Sequence, residues 1–76
     1  MRNIAEHTGI LKIIDRLPNS ANGNPRFILT IDGFTCYTAP DSAHGYAVQN
    51  HDGKQVKATI GTHYNKPTLH TLKGVN

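Results

Sequence analysis

The sequence predicts a mainly β protein, a small five-stranded barrel with one short helix between strands 3 and 4. Three observations predict it. Asp32-Gly33 stands between two runs of β-branched and aromatic residues, the signature of a tight hairpin. Residues 54–60 alternate between apolar and polar. Between these two signals lies a segment with helical spacing.

Residues 1–8 are polar and are expected to form an N-terminal arm, leaving 9–76 as the single β-barrel domain. Ile10 to Leu17 is the first strand. Its β-branched residues favour extended backbone over the helix that Ile10, Ile13, Ile14 and Leu17 would also fit. Leu11 and Ile13 alternate with Ile10 and Ile14, so a bent strand serving two sides of a barrel is expected. Residues 18–25, rich in Pro, Asn and Gly, form a loop. Residues 26–31 and 34–38 flank Asp32-Gly33. A two-residue type I′ turn there sets Ile31 opposite Phe34, Thr30 opposite Thr35, Leu29 opposite Cys36 and Ile28 opposite Tyr37. One face of this hairpin is then core: Phe27, Leu29, Ile31, Phe34 and Cys36. The other face carries Arg26, Ile28, Thr30, Thr35 and Tyr37.

Pro40 and Asp41 suit a helix start, and Ala43, Tyr46, Ala47 and Asn50 follow helical spacing, which favours a short helix over another strand. Gly45 weakens that helix by roughly 1 kcal/mol. Asp52-Gly53 marks a second turn. Val56, Ala58 and Ile60 then point inward, with Gln55, Lys57 and Thr59 outward. A final turn at Asn65-Lys66-Pro67 returns the chain as residues 68–73.

The order of strand, long loop, hairpin, short helix and hairpin over residues 9–73 resembles the OB-fold. Asp32-Gly33, Pro40-Asp41 with the helical spacing behind it, and the 54–73 hairpin carry the resemblance. It implies a binding surface on the outer face of strands 2 and 3. An SH3-like barrel is the alternative if residues 40–50 hold no helix. Small phage-encoded accessory proteins share this size and composition, an analogy only.

A chain of 76 residues buries a small core, with 37% hydrophobic residues, no Trp and five aromatic rings. That leaves little material for a dry catalytic pocket, and no nucleophile motif or phosphate loop is present. A non-catalytic binding module without cofactor is expected. The lone Cys36 forms no internal disulfide, which fits a reducing compartment such as the cytoplasm. No apolar run is long enough to span a membrane, so no membrane partner is expected.

A net charge of +3 favours an anionic partner. Single-stranded DNA or RNA would stack bases on Tyr37 beside Ile28, with Arg26, Thr30 and Thr35 around them and Lys57 and Lys66 extending the cationic patch. The alternative is a small protein-binding module or inhibitor that uses Ile28 and Tyr37 as contact anchors. A barrel this small is also a candidate homo-oligomer. Seven residues separate His44 from His51 and His63 from His70. Within one strand such a pair lies about 23 Å apart on opposite faces, too far to share a metal. Only a hairpin symmetric about Lys66-Pro67 would bring His63 across from His70, as a weak candidate pair with no third ligand.

Overall fold

A computed structural model of the chain describes residues 2–19, 21, 23–39 and 44–75. Five strands are present: β1 (Arg2–Leu17), β2 (Arg26–Ile31), β3 (Phe34–Tyr37), β4 (Gln55–His63) and β5 (Lys66–Gly74). One helix, α1 (His44–Asn50), lies between β3 and β4. The strands close into a barrel in the order β1-β2-β3-β5-β4, with β4 pairing back onto β1. The helix sets aside the helix-free SH3-like alternative.

β1 does the work of two strands. Its first half, from Arg2 to Ile10, pairs with β4, and its second half, from Leu11 to Leu17, pairs with β2. Residues 2–8 are therefore strand and not a free arm. Their polar side chains conceal this in the sequence, because β4 supplies backbone partners that need no apolar side chain. A bulge between Ile13 and Asp15 bends the strand. Asp52 Oδ1 accepts from the Ile13 amide at 3.1 Å and Asp15 Oδ1 from the Arg16 amide at 2.8 Å, so carboxylates hold amides on both sides of the bend. Leu11 is buried and Ile13 packs on the core, while Ile10 and Ile14 stay exposed.

The β2–β3 hairpin has the register that its turn dictates, Ile31 to Phe34 through Ile28 to Tyr37. Asp32 and Gly33 both have positive φ, 52° and 78°. Phe27, Leu29, Ile31 and Cys36 are buried, joined by Val56, Ala58, Ile60 and Leu69 from the second hairpin. Phe34 departs from the expected core face. The first residue past the turn, it is 43% exposed and stacks on the His7 ring of β1 at 4.5 Å instead of entering the core.

α1 turns a different face inward from the one its apolar spacing suggests. Val48 enters the core and Tyr46 is exposed. The cause is Gly45, which packs against the backbone carbonyl of Pro25 where no Cβ would fit. Pro40, Asp41 and Ala43 lie outside the described residues. His51 ends the helix: its amide bonds to the Ala47 and Val48 carbonyls, and its Nδ1 donates to Ala47 O at 2.7 Å.

The β4–β5 turn is Tyr64-Asn65, with φ of 50° and 62°, and not Asn65-Lys66-Pro67. His63 consequently pairs with Lys66, while His70 sits in a bulge opposite Thr59 and Ile60. The register that would have faced the two histidines is absent. No group of three or more His, Cys, Asp or Glu gathers among the described residues. None of the helices there is long and apolar enough to cross a membrane.

Candidate nucleic-acid interface

Tyr37 ends β3, and two contacts fix it. It is the β3 residue that pairs with β5, at Thr68, closing the barrel. Just beyond it the buried Thr38 exchanges two bonds with Phe27: the Phe27 amide donates to Thr38 Oγ1 at 2.9 Å and the Thr38 amide to Phe27 O at 3.1 Å. The pleat therefore turns the half-buried Tyr37 ring outward, next to Ile28 and Arg26.

A cleft of about 330 Å³ opens there, walled by Leu17 at the end of β1 and Pro18 just after it, by Arg26 and Tyr37, and by His63, Tyr64 and Lys66 at the β4–β5 turn. Lys66 Nζ lies 5.4 Å from the Tyr37 ring centroid, within reach of a cation–π contact. The His63 and Tyr64 rings meet edge to face at 4.4 Å. Arg26 Nε is buried without a hydrogen-bond partner. No Asp or Glu is among the described residues lining the cleft.

Of the side chains expected to bind, Arg26, Tyr37 and Lys66 come together here. Ile28, Thr30 and Thr35 share the outer face of β2–β3 but lie nearer the Asp32-Gly33 turn and do not line the cleft. Lys57 does not join them. It points outward from β4, between β1 and β5, and its Nζ is 3.6 Å from Glu6 Oε1. Sequence reasoning did not place Tyr64 at this face, and it weighed His63 as a metal partner of His70. A tyrosine at positive φ is uncommon in a turn, and Pro67 drew the expected turn forward. The one available signal was that shifting the hairpin centre by two residues leaves Tyr64 at its tip.

Compared with protein-family models, curated proteins and solved structures, the chain matches none.

Proposed function

We propose that the protein is an OB-fold binding module that holds single-stranded nucleic acid in the cleft between the β1–β2 loop and the β4–β5 turn. The observation that carries this reading is the grouping of Tyr37, His63 and Tyr64 with Arg26 and Lys66 around one opening, with no Asp or Glu among its described lining residues. Rings offer stacking faces that every base can use, at roughly 1–3 kcal/mol per base. The cations serve phosphates, and an arginine does so through paired donors.

Lys66 covers the Tyr37 ring, so a base must displace it. An exposed cation–π contact is worth about 0.5–1 kcal/mol, less than the stacking that replaces it. The freed ammonium then becomes available to a phosphate. With Arg26 and Lys66 neutralising two phosphates, the expected salt slope is about −1.4, or about sevenfold weaker binding between 50 and 200 mM salt.

Fluorescence anisotropy of labelled DNA and RNA oligonucleotides at those two salt concentrations tests this. Binding that weakens with salt and is lost in Tyr37→Ala supports the reading; absence of binding at 50 mM ends it. One observation favours a protein partner instead: Ile10 and Ile14 of β1 are 45% and 58% exposed. Pull-down with nuclease treatment separates the two, because a protein contact persists and a nucleic-acid bridge is lost.

A further inference from the structure

Behind the β4–β5 turn lies a second open depression of about 460 Å³, lined by Arg2, Thr62, His63, Tyr64 and Asn65. It shares His63 and Tyr64 with the first cleft. We propose that a bound single strand continues past Tyr64 into this depression, where Arg2 takes a further phosphate. The proposal rests on the single-strand reading above.

Three features carry it. Tyr64 is 87% exposed at the tip of the turn and borders both depressions, so its ring stands where a strand leaving one would enter the other. Arg2 is brought to the second depression by a specific irregularity. From Ala5 to Arg2 is three residues in β1, but their partners Ile60 and Thr62 are only two apart in β4. The extra residue is taken up with Asn3 at φ 53°. Bulges re-aim side chains. Here the effect is to set Arg2, where an even ladder would set Asn3, opposite Thr62 and one residue from His63. Finally, the donor set suits a nucleotide: a guanidinium for phosphate, with the Thr62 hydroxyl and Asn65 amide for phosphate, sugar or base edge. No carboxylate is among the described residues lining this depression either.

The test uses the full chain with a labelled thymidine octamer, in wild type, Arg2→Ala, Arg2→Lys and Tyr37→Ala. With Arg2 as a third phosphate contact the wild-type slope becomes about −2.1; Arg2→Ala should reduce it by about 0.7, to the value set by Arg26 and Lys66 alone, and Arg2→Lys should restore it. The Thr62 amide resonance of the wild type should shift on adding the octamer, a readout that needs no substitution. If Arg2→Ala keeps the wild-type slope or Thr62 does not move, while Tyr37→Ala still weakens binding, the second subsite is overturned and the single-strand reading stands. If the wild type binds no octamer at 50 mM salt, both fall.

Discussion

Tyr64 is a poor choice for the turn it occupies. The first central position of a type I′ turn needs positive φ, which asparagine tolerates and a tyrosine ring does not favour. The ring gains no burial in exchange, being 87% exposed. Among the described residues its one ring contact is the edge-to-face meeting with His63, and backbone strain of this kind is what the proposed binding role of Tyr64 would account for. Tyr64→Asn should therefore stabilise the fold by roughly 0.5–1 kcal/mol, read from the urea midpoint, while weakening oligonucleotide binding severalfold. Cys36 shows the opposite logic. It is fully buried, and desolvation pushes its thiol up to about 12. A thiol raised in the folded state favours folding while it stays protonated. Stability should hold below about pH 9, the ordinary thiol value, and fall from there towards pH 12 at up to roughly 1.4 kcal/mol per unit. Cys36→Ala should lack that component of the slope. The same burial predicts slow reaction with a thiol reagent at pH 8 until urea unfolds the chain.

Among the elements, α1 gives the sharpest contrast between propensity and packing. On propensity alone, Gly45→Ala should strengthen the helix by roughly 1 kcal/mol. Packing reverses the sign, because the added Cβ would meet the Pro25 carbonyl. Overpacking of this kind costs about 1–3 kcal/mol, so the variant should unfold at lower urea. The β2–β3 hairpin was legible residue by residue, since Asp32-Gly33 fixes its register locally. The clean alternation of residues 54–60 was legible for the same reason. The second hairpin was not, because its turn uses a tyrosine, and Pro67 lies inside β5 opposite Thr62. The early start of β1 was hidden too: pairing through the backbone leaves no mark on polar side chains such as Glu6 and Thr8.

Across the whole molecule, the five strands and the short helix follow from local signals, but the closure through β3–β5 and β4–β1 and the cleft do not. Arg26, Tyr37 and Lys66 come from three strands, and His63 and Tyr64 join them only because the final turn falls where it does. Lys57, equally cationic in the sequence, is carried to another side of the barrel and paired with Glu6. Both partners of that ion pair are more than half exposed, so Lys57→Ala should change stability by less than about 1 kcal/mol and leave oligonucleotide affinity nearly unchanged.

Amide chemical-shift mapping with a thymidine octamer at 50 mM salt tests the central claim most directly. Shifts should concentrate at Arg26, Tyr37, His63, Tyr64 and Lys66. Shifts confined to β1 around Ile10 and Ile14, or none at all, would contradict it.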